Sequence, residues 1–205
     1  MQTTYIFIIL NIIASIYAWS NPTIFDKWTM NPYLIHKKRQ YYRFITSGFI
    51  HANYFHLIFN MLTLYFFGER VEYIFNSIFK GAGSWMYILL YLFAIIASDI
   101  PTFFKKKNQS YYNSVGASGG ISAIVFASIL FMPVAKLCLY AILCIPGFIF
   151  AILYLIYSYY ESRRNTQINH EAHFYGALAG ILFCVITFPR CIMIFIEQVS
   201  QWKFF

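Results

Sequence analysis

The sequence predicts an all-α membrane protein that folds as a bundle of six transmembrane helices. Of its 205 residues only 11% are charged and 60% are apolar, whereas roughly 25% of the residues in a soluble domain are charged. The mean hydropathy is +0.59. Six stretches contain no Asp, Glu, Lys or Arg at all: 1–25, 44–68, 81–98, 108–135, 137–160 and 172–189. A membrane-spanning helix needs about 20 mostly apolar residues, so each stretch is long enough or nearly so.

This composition argues against a soluble enzyme and against a disordered chain. In lipid, backbone polar groups must pair within the protein, which leaves helices or closed β-barrels. The apolar windows are continuous runs, without the alternating pattern of barrel strands. Helices are therefore the predicted spanning elements.

The predicted spans follow the apolar windows in chain order, within a single domain over residues 1–205. They cover about 4–19, 54–73, 84–104, 116–132, 137–159 and 172–188. Asn21-Pro22 and Asn31-Pro32 are turn signals in the long polar connection between the first two spans. Pro146-Gly147 is expected to kink or weaken the fifth span.

The net charge of +8 indicates contact with lipid headgroups rather than with nucleic acid. The basic residues cluster in short loops between apolar windows, at 37–39, 105–107 and 163–164, and such clusters lie at headgroups. No basic helix or stacking platform accompanies them, so we predict no nucleic-acid binding. The four cysteines form neither a CxxC pair nor a secreted disulfide framework, and they are interpreted as small core residues.

Polar residues inside the predicted spans are costly and therefore indicate function. His56 and Asn60 are four residues apart, so they share one face of the second span. Ser118 lies in the glycine-rich run 116–120 at the start of the fourth span. On the sixth span, His173 is followed by Gly176 and Gly180. These glycines form a small-residue seam that lets another helix approach closely.

Spans two, four and six leave the same side of the membrane, so their polar groups can meet in one half-buried cavity. A serine hydroxyl becomes a good nucleophile when a base removes its proton, and His173 can be that base for Ser118. The backbone N–H groups at a helix start are unpaired and suit a developing oxyanion. His56 and Asn60 can add side-chain donors to the same oxygen.

Each cluster also has a simpler interpretation. A single His or Asn in a span often only forms hydrogen bonds between packed helices, and GxxxG is common in membrane helices. The only aspartates are Asp26 and Asp99, and neither is an evident third member of a triad. The predicted catalytic unit is therefore a Ser–His dyad.

These residues resemble the rhomboid family of intramembrane serine proteases, over about residues 43–180. The matching motifs are H-x4-H-x3-N at His51, His56 and Asn60, GxxVE at 68–72, GxSG at 116–119 and AHxxGxxxG at 172–180. The resemblance implies that Ser118 is the nucleophile and His173 the general base and acid. It implies an oxyanion hole of His56, Asn60 and the Ser118 backbone N–H.

The resemblance also implies supporting roles. Structural support would come from His51, Glu72, Gly116, Gly176 and Gly180, and Phe59 would lie at a substrate gate facing span five. The implied partners are transmembrane protein substrates and the lipid bilayer, with no metal and no cofactor. The resemblance implies an integral, multi-pass protein of a bacterial inner (cell) membrane. No oligomeric state is indicated.

Two positions depart from the family pattern. Ser122 stands four residues after the nucleophile, where the family often has an aromatic that packs on the catalytic histidine. Tyr42-Arg43 stands in the first loop, where the family often carries Trp-Arg.

Two rules predict opposite orientations in the membrane. Six-span members of the family keep both termini in the cytoplasm, which would place five Lys and Arg residues inside and ten outside. The positive-inside rule favours the reverse arrangement.

Two rival functions remain open. An inactive rhomboid-like protein would bind transmembrane segments without cutting them, but such proteins usually lack the serine or the histidine. A membrane metalloenzyme would use His51, His56, His170 and His173, yet five histidines are few for a histidine-box di-metal enzyme. Under the protease hypothesis, His170 is interpreted as a solvated loop residue.

Overall fold

The computed structural model describes residues 2–139, 143–164 and 169–203, most of which are helical. In chain order the helices are α1 (Gln2–Ser20), α2 (Pro22–Trp28), α3 (Pro32–Lys38), α4 (Arg43–Thr46), α5 (Tyr54–Phe79), α6 (Gly83–Lys106), α7 (Ser118–Phe131), α8 (Gly147–Glu161), α9 (His170–Thr187) and α10 (Arg190–Ser200). Single 3₁₀ turns lie at Ser47–Phe49 and Lys80–Ala82. Strands β1 (Lys136–Leu139) and β2 (Leu143–Pro146) form an antiparallel hairpin. The predicted all-α membrane bundle is confirmed.

Helix α7 is the centre of the bundle. Every residue from 119 to 131 is buried, and the helix packs against α5, α6 and α9. A helix that is apolar around most of its circumference is stable only when other helices cover all its faces. The fourth predicted span is therefore the core element on which the others are arranged.

The outer helices present apolar side chains to their surroundings. Exposed residues of this kind include Ile6, Ile9 and Ile13 on α1 and Ile152, Leu153 and Ile156 on α8. By length and composition, the helical stretches Gln2–Ser20, Tyr54–Lys106 (α5 and α6 together) and His170–Thr187 could each cross a membrane, and α7 and α8 are shorter apolar helices. Extensive exposed apolar surface of this kind fits a lipid environment rather than water.

The fifth predicted span is wrong over its first half. Instead of a helix over 137–159, the chain forms the β1–β2 hairpin and then the 15-residue helix α8. Proline has no N–H to donate and clashes with the preceding helical turn, so Pro146 ends the strand and the helix begins at Gly147. Residues 140–142 lie outside the described residues. The second span also runs farther than its predicted end at residue 73, because the helix continues to Phe79.

The interpretation of the cysteines holds for two of the four. Cys184 and Cys191 are free and buried. Cys138 and Cys144 are exposed and form a disulfide across the hairpin, where they are directly opposite each other. The spacing alone did not indicate this bond, because the pairing depends on the hairpin that the sequence interpretation missed.

Glu72 ties the first helix to the second long helix. This buried carboxylate accepts hydrogen bonds from the Thr3 N–H (3.0 Å), the Thr4 N–H (3.0 Å) and the Thr4 hydroxyl (2.7 Å). The first N–H groups of a helix have no intrahelical partner, and a negative charge there also suits the helix dipole. Glu72 therefore fixes the start of α1 against α5.

We expect Glu72→Ala to destabilise the protein strongly. Each buried donor that loses its acceptor costs about 1–3 kcal/mol, and the substitution removes the acceptor of the Thr3 and Thr4 N–H groups. It also removes one of the two acceptors of the Thr4 hydroxyl, which keeps the Tyr87 hydroxyl at 3.3 Å. Thermal unfolding in detergent should show a clearly lower midpoint, with Glu197→Ala as the control because Glu197 is exposed on α10. Equal midpoints for the two variants would contradict the role assigned to Glu72.

The long connection after α1 is ordered by capping and by one buried arginine. Asn21 and Asn31 cap α2 and α3 through their side-chain oxygens, with a proline directly after each. Arg43 is buried and donates to the backbone oxygens of Asp26 (2.6 Å) and Thr29 (2.7 Å). The connection is therefore anchored although Tyr42 replaces the family's tryptophan.

Candidate active site

A cavity of about 550 Å³ lies between α5, α7, α8, α9 and β1. Its polar lining includes Asn60, Ser118, Ser122, Tyr154 and His173. The predicted residues Asn60, Ser118 and His173 come from three different helices, and the fold brings them to one cavity. A serine, an imidazole and an amide donor facing one space are groups that acyl-transfer chemistry can use.

Ser118 is the first residue of α7 and is half-buried. Gly116 precedes it with φ of +129°, a conformation that only glycine adopts without strain. The N-cap residue, Ala117, forms no side-chain cap, so the first N–H groups of α7 are not occupied by a capping side chain. The serine hydroxyl thus lies beside backbone donors at a helix N-terminus.

His56 lies over Gly116, and Asn60 follows one turn later on α5. A Cβ atom added to Gly116 would lie 2.8 Å from His56 Nε2, so a glycine is needed for this close approach. The Asn60 amide nitrogen donates to the His56 carbonyl oxygen at 2.9 Å. An amide nitrogen carries two hydrogens, and this bond uses one of them.

His51 supports this region from behind. Its ring is fully buried, contacts the His56 ring at 5.1 Å between centroids, and its Nδ1 lies 3.0 Å from the Ser15 hydroxyl. Its carbonyl oxygen accepts a 2.7 Å hydrogen bond from the Trp19 indole. Burial lowers the pKa of His51 to about 3, so the imidazole is neutral at physiological pH.

The close packing of α9 on α7 places His173 beside the cavity. A Cβ on Gly176 would collide with the Gly119 carbonyl oxygen, and a Cβ on Gly180 would collide with that of Ala123. The backbones of the two helices are therefore in direct contact along this seam.

The structure corrects the interpretation of His170. This residue is not a solvated loop histidine: it is buried, it begins α9, and its ring contacts Tyr157 and His173 at 5.5 Å each. Glu171 beside it bonds to Thr102 (3.1 Å) and to Lys105 (3.3 Å) on α6. These contacts hold the start of α9 in the bundle, and sequence spacing did not reveal them.

Phe59 lies on the outer surface of α5, one residue before Asn60, and is 60% exposed. It is not among the side chains described as lining the cavity. Within the described part of the chain, no three His, Cys, Asp or Glu side chains cluster closely enough to hold a metal ion.

Tyr154 on α8 was not anticipated from the sequence. Its ring stacks on His173, with 6.5 Å between centroids and 16° between planes, and its hydroxyl lies 2.8 Å from the Ser122 hydroxyl. No motif contains Tyr154, so spacing rules could not have found it.

The sequence model of the rhomboid domain family matches residues 38–190. This range includes every helix and strand that lines the cavity. The chain belongs to the rhomboid family. The resemblance seen in the motifs is thereby confirmed, and the protein is an integral membrane protein of this family.

Relatives of the chain are found in a plant and in a bacterium. It is 29% identical over 172 residues to the chloroplastic rhomboid-like protein 11 of Arabidopsis thaliana, a match covering 78% of this chain and 58% of that protein. It is 26% identical over 170 residues to the mitochondrial rhomboid-like protein 12 of the same plant, covering 77% and 51%. YdcA of Bacillus subtilis (strain 168), named as a candidate rhomboid protease, is 29% identical over 155 residues, covering 74% and 69%. The matched part of the chain thus spans 51% to 69% of the length of these relatives.

Proposed function

We propose that this rhomboid is an intramembrane serine endopeptidase that cleaves transmembrane helices through a Ser118–His173 dyad. The observation that carries the proposal is that Ser118 and His173, from separate helices, line one cavity together with Asn60. A rhomboid-like protein that only binds transmembrane segments is the alternative, and the presence of both reactive side chains disfavours it.

Acyl transfer would proceed in two halves. The Ser118 oxygen attacks the scissile carbonyl carbon while its proton passes to His173. The carbonyl electron pair moves onto oxygen, and the resulting oxyanion accepts hydrogen bonds from the Ser118 N–H, His56 and Asn60. His173 then gives its proton to the leaving nitrogen, the C–N bond breaks, and an ester on Ser118 remains. In the second half, water attacks this ester, His173 takes its proton, and the proton returns to Ser118 as the C–O bond breaks.

The cavity location fits a substrate that arrives from the lipid. The cavity is bounded by α5 and α8, and Phe59 is exposed on α5 next to Asn60. We propose Phe59 as part of the substrate gate. Unwinding the substrate helix locally would expose a carbonyl to Ser118, since helical backbone groups are otherwise paired.

The test is labelling of the detergent-solubilised protein with a fluorophosphonate probe, which needs no known substrate. We expect one label per chain, located on Ser118 by mass spectrometry of the labelled peptide. A label on another residue would contradict the assignment of the nucleophile. Absence of any label from folded protein would favour the non-cleaving alternative.

We propose a bacterial cell membrane as the location, with both termini in the cytoplasm. The expected result is that a reporter active only in the cytoplasm is active when fused after Phe205, and that a reporter active only outside is silent there. The reverse pair of signals would overturn this orientation and would follow the distribution of basic loops.

A further inference from the structure

A serine–histidine dyad leaves open what orients the histidine. In a triad an acidic residue fixes the imidazole, and in many rhomboids an aromatic four residues after the nucleophile packs on it. This chain has Ser122 at that position. Some other group must therefore limit the rotation of the His173 side chain.

The ring of Tyr154 faces His173 from the neighbouring helix. The two rings are nearly parallel, at 16°, with centroids 6.5 Å apart, within the range in which offset aromatic pairs attract each other. Titratable groups facing His173 also include His170 on its own helix and His56 on α5. Tyr154 is the tyrosine on α8 that reaches this cavity.

Ser122 holds Tyr154 in this position. The two hydroxyl groups are 2.8 Å apart, and Ser122 is buried on α7. The Tyr154 ring is further fixed by Phe126 and Phe150, at 5.5 and 5.6 Å between centroids. A small residue at 122 thus leaves room for the tyrosine and also supplies its hydrogen-bond partner.

We propose that Tyr154 is a positioning residue for His173 and that the Ser122 hydroxyl anchors it. The aromatic contact that the family often takes from the α7 helix is here supplied by α8. This inference rests on the proposed protease function, because positioning matters only if His173 is the base. It also implies that His173 is correctly oriented only while α8 stays packed against α9 and α7.

The first test uses the kinetics of fluorophosphonate labelling. Tyr154→Leu should lower the maximal labelling rate constant by about 10- to 100-fold, since small misplacements of a catalytic group have effects of this size. The probe concentration giving half-maximal rate should stay unchanged. Tyr160→Leu is the matched control, because Tyr160 is on the same helix but exposed. An unchanged rate constant for Tyr154→Leu would overturn the proposal.

Milder variants separate positioning from misfolding. Ser122→Ala and Tyr154→Phe remove the same hydrogen bond, so each should slow labelling by about fivefold, the effect of one neutral hydrogen bond. The double variant should be no slower than either single one. Adding Ser122→Tyr to Tyr154→Leu should restore part of the rate by returning an aromatic from α7. Additive effects of Ser122→Ala and Tyr154→Phe would contradict the anchoring role.

A measurement independent of activity keeps the two proposals distinguishable. With isotope-labelled histidine the protein has five imidazole signals, and His173→Gln identifies one of them. That signal should shift in Tyr154→Leu and not in Tyr160→Leu. If the probe does not label the wild-type protein, the protease function is contradicted. The His173 imidazole signal then still tests whether Tyr154 contacts His173. A signal that does not move in Tyr154→Leu would overturn the placement of Tyr154 on His173.

Discussion

Ser118→Ala and His173→Ala are each expected to abolish cleavage of a transmembrane substrate and labelling by a fluorophosphonate. Ser118→Ala removes the atom that forms the covalent bond. His173→Ala leaves a serine hydroxyl that is almost fully protonated at neutral pH and therefore a weak nucleophile. In a serine protease the loss of either the serine or the histidine lowers kcat by about 10⁶-fold.

The two residues should behave as one unit. Because each needs the other, the double variant Ser118→Ala/His173→Ala should be no less active than either single variant. Gel-based labelling and cleavage of a reconstituted transmembrane reporter in liposomes would measure both effects.

Matched controls are available in the same chain. Ser77→Ala and His36→Ala alter residues of the same types on exposed surfaces, and both should retain full activity. Cleavage that persists in Ser118→Ala would refute the nucleophile. Labelling that persists in His173→Ala at the wild-type rate would refute the base.

The sequence predicted the parts of the fold that depend on local spacing. His56 and Asn60 fall on one helical face because they are four residues apart, and Gly176 and Gly180 do so for the same reason. Predicting the small-residue seam required only the rule that glycines on one helical face let a second helix pack closely. For these elements, helical periodicity and the cost of polar groups in lipid are sufficient.

The β1–β2 hairpin shows where local reasoning fails. A short apolar run is compatible with a strand or with a buried helix, and periodicity does not separate them. The 137–160 window therefore predicted one span, although Pro146 marks the boundary at which the helix begins. The Cys138–Cys144 bond could be anticipated only after the hairpin was known.

His170 and Tyr154 were misjudged or missed for a different reason. Their environment is set by the packing of α8 against α9, which joins residues from separate helices. No spacing rule relates position 154 to position 173. Such contacts depend on the angle and depth at which the two helices meet, and these quantities are properties of the folded bundle.

Gly176→Val and Gly180→Val are expected to reduce cleavage by about 100-fold or more, without any change to Ser118 or His173. The missing Cβ of Gly176 already faces the Gly119 carbonyl oxygen, next to the nucleophile. A valine there must push α9 away from α7, and displacing a catalytic group by about 1 Å costs about 10²-fold in rate. Gly176→Ala should have a smaller effect in the same direction.

The glycine at position 81 provides the matched control. A Cβ added there meets no atom within 4 Å, so Gly81→Val should retain wild-type activity. Elution volume and thermal midpoint in detergent would show whether the α9 variants remain folded. The Gly176→Val and Gly180→Val proteins could prove to be folded but inactive. This result would show that the cleavage rate depends on the distance between α7 and α9 and not only on the presence of the dyad. If both cleaved at the wild-type rate, the seam would not be what positions His173. The contact with Tyr154 would then have to be sufficient to position His173.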